Sequence, residues 1–344
     1  MSLIHLDGFD EYSSQNDLAF QYSNPDSWGF TTTGGRYGGG AMNMNGGGNG
    51  LGYVLPSAQS EIWVGFAMAC YNSGTDGDYR SVLSFLTTAG AECSICYCSQ
   101  TGVWAAYKGS DNVLLGTGVG NIGNSTTYHW VEFHYKISAS VGVVEVWVDG
   151  AQVLDLTGVD NTYSGASSFT SIGLGYVGSQ GCSSSNIDDL YVLNVSGSTN
   201  NTRLGDSRIE TLKPTSDASP NAGTPSSGSS HYAMVDESQN DAASTTITIA
   251  NTSGQEELFG MGSLAGAPAT VYAVKVTNIV QKTDGGTCNG ESVVSSSGAP
   301  AEGASTPLLT NFSVVGGIFE TDPHTSAAWA YTAVNTMDCG FQIP

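Results

Sequence analysis

The sequence predicts an all-β protein of two domains. Three observations carry that prediction: an apolar/polar alternation of period 2 from Glu61 to Leu193, a composition of 46 Gly with 40% apolar but only 12% charged residues, and a length of 344 residues. Period-2 alternation with turn residues between the runs marks antiparallel strands that bury one face and solvate the other. Charge at half the usual level, combined with ample apolar content, describes a rigid, turn-rich chain rather than a disordered one. The length exceeds one ordinary β domain and allows two, each with its own core.

The strongest strand runs from His129 to Ile137, where Val131, Phe133, Tyr135 and Ile137 share one face and Trp130, Glu132, His134 and Lys136 the other. The first set is expected inward, and Glu132 and Lys136 are expected exposed. Val143 to Val148 follows, then Asp149-Gly150, then Ala151 to Leu156. Asp-Gly between two apolar runs signals a two-residue hairpin, because both central residues of a type I′ turn need positive φ.

Asn194 to Asn201 holds almost nothing to bury and reads as a linker or domain edge. A second polar stretch from Ser216 to Ser230 is either a long loop of the second domain or an extension of that linker. Beyond it, Tyr272, Val274, Val276 and Val280 alternate, Asp284-Gly285-Gly286 turns, and Leu308 to Phe319 continues as strand. A short helix is expected from Ser326 to Asn335, where alanines favour it, although Trp329, Tyr331 and Val334 fit a strand equally well.

With 9 Lys+Arg against 31 Asp+Glu, the formal charge of −22 would repel phosphate backbones, so nucleic acid is not an expected partner. No apolar run reaches the roughly 18 residues a membrane-crossing helix needs, and the N-terminus lacks a basic region followed by an apolar one, so a soluble chain made without a secretion signal is expected.

Gly118-Val119-Gly120-Asn121-Ile122-Gly123 matches the dinucleotide-loop spacing, but it leads into a strand where that chemistry needs a helix, and it reads as coincidence in a glycine-rich chain. The five histidines His5, His129, His134, His231 and His324 lack metal-ligand spacing, and no nucleophile elbow is present. Glycoside hydrolysis requires an acid pair. Glu145 and Asp149 come nearest, and Asp149 is already the turn residue. These absences predict a protein that is not an enzyme, with no catalytic residues and no bound cofactor.

Residues 72–78 gather oxygen ligands on a turn, which makes Asp76 and Asp78 candidate ligands for a hard cation such as calcium, although a solvated loop reads the same way. Asp188-Asp189 divides similarly, with Asp189 expected to bond backbone amides. Of seven Cys, Cys93, Cys96 and Cys98 cluster, and Cys182 is a further thiol of the same domain. Buried free thiols, a late disulfide and a zinc site are the three readings, and zinc lacks a second Cys/His pair.

Four stretches then carry a resemblance: residues 34–41 (GGRYGGGA), 128–133 (YHWVEF), 144–150 (VEVWVDG) and 187–192 (IDDLYV). In order and spacing they resemble the landmarks of laminin-G-like, concanavalin A-like jelly rolls in tailed-phage virion proteins. The resemblance implies a jelly-roll sandwich over residues 1–195, a linker or long loop over 196–230 and a smaller β-rich virion-attachment domain over 231–344. The part opening at Leu204 to Leu212 resembles a segment that follows such domains in phage structural proteins. The implied function is a non-enzymatic structural protein on the particle exterior, as capsid decoration or tail appendage, assembled in the host cytoplasm. The alternative is a carbohydrate-binding adhesin of a tail fibre or spike. Other virion proteins, further copies of the chain and a host surface glycan are the expected partners.

Overall fold

The computed structural model describes residues 2–23, 29–44, 51–72, 79–110, 113–123, 126–175, 184–237 and 244–344. The chain divides into two compact units, Met1–Ile209 and Glu210–Pro344.

Unit 1 runs through β1 (Leu3–Asp7), β2 (Gly29–Thr31), β3 (Ala41–Met44), β4 (Leu51–Gln59), β5 (Glu61–Asn72), β6 (Arg80–Thr87) and β7 (Gly90–Cys98). It continues through β8 (Val103–Lys108), β9 (Val113–Val119), β10 (His129–Lys136), β11 (Gly142–Val148), β12 (Ala151–Val159), β13 (Phe169–Leu174) and β14 (Ser184–Asn194). An eight-stranded sheet has the order β12-β11-β10-β5-β14-β3-β2 with β1 also on β14, and a six-stranded sheet has the order β4-β13-β6-β7-β8-β9. All pairings are antiparallel, and one core lies between the sheets, with Phe66, Val131, Phe133, Tyr135 and Val146 from one side and Phe85, Ile95, Trp104 and Phe169 from the other. This is the expected jelly-roll sandwich. The Asp149-Gly150 hairpin is present, with φ of 48° and 82°. Asp149 also receives Trp130 N at 2.9 Å and faces His129 Nδ1 at 2.7 Å.

The glycines that mimic a dinucleotide loop have a packing role. β9 and β12 are the edge strands that meet where the two sheets close, and a Cβ on Gly118 would fall on the Val153 carbonyl oxygen. No side chain fits between those backbones.

The expectation that Glu132 is exposed is overturned, because it is 0% exposed. Residues 203–205 cover that side of β10, and Glu132 accepts hydrogen bonds from Tyr191 OH at 2.7 Å, Gly205 N at 2.8 Å and Arg203 Nη1 at 3.1 Å. Alternation assigns a face to a side chain but not what later chain lies over that face.

Unit 2 contains β15 (Pro214–Asn221), β16 (Thr224–Pro225), β17 (Ile247–Thr248), β18 (Glu256–Met261), β19 (Val274–Val280) and β20 (Asn289–Ser296). It ends with β21 (Ala299–Glu302), β22 (Thr306–Pro307), β23 (Ser313–Phe319), α1 (Tyr331–Val334) and β24 (Asp338–Gln342). Its main sheet has the order β15-β18-β24-β20-β21, and β19 pairs with β23. The polar stretch read as linker or loop therefore contains β15, which pairs with β18. Val276, Val294, Trp329 and Met337 form one core cluster, and Leu308, Val315, Phe341 and Ile343 another. The helix is a single turn, because the first half of the expected span is a turn closed by Asp322 N to Ala327 O at 2.8 Å with Ser326 at φ 54°.

Two substitutions test this account. Gly118→Ala should destabilise unit 1 by about 2 kcal/mol through overpacking, whereas Thr117→Ala should change stability by less than about 0.5 kcal/mol. Glu132→Ala should cost about 3 kcal/mol by stranding Arg203, Tyr191 OH and Gly205 N. Chemical unfolding of the whole chain measures both.

Candidate functional site

Two regions of unit 1 are built as sites. The first is the loop between β2 and β3. Gly38 and Gly39 take φ of 88° and 83°, and a Cβ on Gly35 would lie within 3.0 Å of Gly40 O, Gly38 O and Asp188 Oδ2. Corresponding Cβ atoms would fall on Asp10 Oδ1 at Gly39 and on Phe9 O at Gly40. Only glycine permits this gathering of oxygens. Tyr128 OH secures the loop by donating to Gly34 O at 2.6 Å, and Gly40 N donates to Asp10 Oδ1 at 2.9 Å.

Asp188 reaches the loop because β14 bulges between Asp188 and Tyr191, with Asp189 at φ 56°. The bulge breaks the alternation that would send adjacent side chains to opposite faces. Asp188 Oδ2 accepts Arg36 N at 2.7 Å, and Asp189 Oδ1 accepts Ile209 N at 2.7 Å, so Asp189 does bond a backbone amide. Burial, and then the Asp189 charge, push the Asp188 carboxyl up to about 7. Burial likewise pushes Asp189 up to about 6, against the pull of its amide bond and of Arg36 and Arg208.

Among the described residues no three His, Cys, Asp or Glu side chains are grouped to hold a metal. The oxygens that crowd this loop instead serve its backbone: Asp10 Oδ1 and Asp188 Oδ2 each accept an amide of the loop, and the carbonyls of Phe9, Gly38 and Gly40 lie where side chains of Gly40 and Gly35 would otherwise stand. The sequence candidates Asp76 and Asp78 lie outside the described residues. The pair Asp188-Asp189 carried a visible signal in the sequence, whereas Asp10 carried none.

The second region is on the six-stranded sheet, on the side away from the core. There Ser84 and Ser94 bond each other at 3.0 Å, Cys96 and Ala105 are buried, and Tyr107, paired across from Ser94, meets Tyr79 edge-on at 6.2 Å. Buried Glu92 holds the loop that follows β12: it accepts Tyr163 N at 2.7 Å, Ser164 N at 2.9 Å and the Ser164 hydroxyl. Asp160 adds Thr162 N at 3.2 Å and the Thr162 hydroxyl at 3.0 Å. The loop is thereby preorganised, and it presents Tyr163 at 56% exposure. Sequence reading missed both Glu92 and Tyr163, since neither sits in a recognisable motif.

Cys93, Cys96 and Cys98 are buried, with Cys93 in the core, and Cys182 lies outside the described residues. Burial pushes the Cys93 thiol far above its ordinary range, which makes it unreactive. Glu145 and Asp149, the nearest approach to an acid pair, are each tied to a histidine. Glu145 Oε2 faces His134 Nδ1 at 2.9 Å, which holds its carboxyl below the usual range.

The sequence matches no protein-family model and no curated protein. Solved structures similar to the chain include the cellulose-induced protein Cip1, with 17% identity over 59% of this chain and 100% of that one at a TM-score of 0.41. They also include Caenorhabditis elegans galectin LEC-6, with 11% identity over 43% and 95% at a TM-score of 0.29. Alginate lyase Aly36B is similar at 12% identity over 55% and 95%, with a TM-score of 0.32. At these identities and TM-scores the likenesses bear on the fold alone. They correct one expectation. The missing acid pair does not set this chain apart as a non-enzyme, because similar structures include alginate lyases and a Trypanosoma rangeli sialidase.

The raised carboxyls give a pH signature. A carboxyl whose folded pKa exceeds its unfolded value of about 3.9 favours folding below that value, and the benefit is lost as pH rises through the folded pKa. The melting temperature of unit 1 should fall between about pH 4 and pH 7, spanning the values near 6 and 7. Asp188→Asn should remove the part of the fall near pH 7 and leave the part near pH 6 that belongs to Asp189. A melting temperature flat across this window would contradict the raised carboxyls.

Proposed function

We propose that the chain is a saccharide-recognising protein of a viral particle's exterior, in which unit 1 displays the recognition loops and unit 2 attaches the chain to other particle proteins. The loop at residues 160–164 carries the reading. A buried carboxylate is spent on holding its backbone, and the result is a rigid loop that projects an exposed aromatic ring. Tyrosine rings offer an apolar face for sugar C–H groups and a hydroxyl for polar contact, at little entropic cost when the backbone is already ordered.

The viral part rests on the sequence resemblance, whose landmarks coincide with working features. Residues 34–41 form the glycine cradle, 128–133 the start of β10, 144–150 β11 with its hairpin turn, and 187–192 the bulge that carries Asp188. A particle offers many copies, so modest affinity per copy suffices once effective concentration supplies avidity. Host surface glycans and further copies of the chain are the corresponding partners.

A glycan array probed with the intact chain tests the reading. Tyr163→Ala should weaken retention at least about tenfold while leaving the melting temperature unchanged, as expected for an exposed anchor. Glu92→Gln should lower both. Absence of retained glycans, or retention indifferent to Tyr163→Ala, would sink it.

A further inference from the structure

The outward face of the eight-stranded sheet has a chemistry that no feature above uses. β10 presents Trp130 and Glu132 there, β11 presents Trp147 beside Glu132, and β14 presents Tyr191. The Trp130 and Tyr191 rings stack at 6.0 Å with an interplanar angle of 29°, and Tyr191 OH donates to Glu132. The face is an aromatic platform with an acid in it.

Residues 203–209 cross this platform without strand or helix. The Arg203 guanidinium stacks 4.0 Å from the Trp147 ring, Gly205 N reaches Glu132, and Leu204 N reaches Tyr191 OH at 3.2 Å. From the glycine loop, Arg36 forks onto exposed Asp206 at 2.6 and 2.7 Å. The cover fits poorly. The indole N–H groups of Trp130 and Trp147 are buried without a hydrogen-bond partner, two of the five such atoms among the described residues, and a third, Asp189 Oδ2, has only the Arg36 guanidinium at 3.7 Å. Groups of this kind each cost about 1–3 kcal/mol, which weighs against the closed arrangement.

We propose that residues 203–208 form a displaceable strap over a saccharide platform, separate from the Tyr163 region and independent of that reading. Trp147, Trp130 and Tyr191 take the apolar face of a sugar ring, the two indole N–H groups donate to its hydroxyl oxygens, and Glu132 accepts from its hydroxyls. The closed strap imitates such a ligand, with a flat guanidinium in the stacking position and N–H groups on the acid. A saccharide is the occupant the chemistry selects, because its hydroxyls both accept from indoles and donate to a carboxylate beside a stacking C–H face. An added peptide strand would need a sheet edge, and this is a sheet face.

If binding requires opening, the apparent Kd equals the intrinsic one divided by the open fraction. Hydrogen exchange on the whole chain reads that fraction at the amides of Leu204 and Gly205. Arg203→Gln with Asp206→Asn removes two holds on the strap and leaves the platform intact. In the native chain, residues 203–209 should exchange by local opening, faster than β10 and β14. The double variant should raise that exchange about tenfold and lower the apparent Kd by the same factor, read from tryptophan emission. The probes are trisaccharides of a neutral hexose, an N-acetylhexosamine and a hexuronic acid. Adding Trp147→Phe, which keeps a ring and removes the N–H, should weaken binding about tenfold. A Tyr163→Ala background should leave these results unchanged, which separates failure of this proposal from failure of the first site. The proposal is overturned if residues 203–209 exchange only with global unfolding, or if no probe alters emission in the double variant.

Discussion

Buried carboxylates organise this molecule. Among the described residues Asp7, Glu92, Glu132, Asp188, Asp189, Glu257 and Asp322 are all buried, in a chain with only 9 Lys+Arg to pair with 31 Asp+Glu. A buried acid must be met by donors or it destabilises the fold, and here most of the donors are backbone amides and hydroxyls. Asp7 takes Phe9 N at 2.7 Å, Tyr12 OH at 2.8 Å and Tyr22 OH at 2.6 Å, ordering the segment after β1. Burial and the Asp7 charge push both tyrosines well up, so they remain donors. Glu257 does the same in unit 2 with Gly223 N at 2.7 Å and His231 Nδ1 at 2.6 Å.

The consequence is that strands supply the acids and loops supply the donors. Each buried acid fixes a piece of chain that has no ladder of its own: Glu92 fixes the loop at residues 160–164, Asp188 and Asp189 fix residues 36 and 209, and Glu132 fixes residues 203–205. The same device that stabilises the fold also decides which loops are rigid. Beneath residues 203–208 the match is incomplete, because two indole N–H donors there find no acceptor.

Glycine supplies the complementary constraint. At Gly118 the missing side chain lets two sheet edges close, and in the loop at residues 35–40 it lets carbonyls and carboxylates crowd together. One glycine pattern imitates a nucleotide motif and the other lets a loop fold onto two carboxylates. Neither role is visible in the residue type alone, because each depends on what lies opposite the absent Cβ.

The sequence by itself determined the sandwich. The alternation at Val131, Phe133 and Tyr135, the apolar run at Val144 to Val148 and the Asp149-Gly150 turn are local signals, and each survives folding because strand period and turn φ are set by neighbours in the chain. The polar stretch before residue 230 hid β15, whose pairing with β18 comes from long-range hydrogen bonds rather than from an apolar face. Only the tertiary structure decided the sites. Asp10 and Asp188, 178 residues apart, hold amides of the same glycine loop, Glu92 holds Tyr163 at a separation of 71, and Glu132 is buried by a segment beginning at a separation of 71. Burial and hydrogen bonding between distant segments change the state of a carboxylate without leaving a mark on its neighbours in sequence, so a surface acid and a buried anchor read alike until the chain is folded.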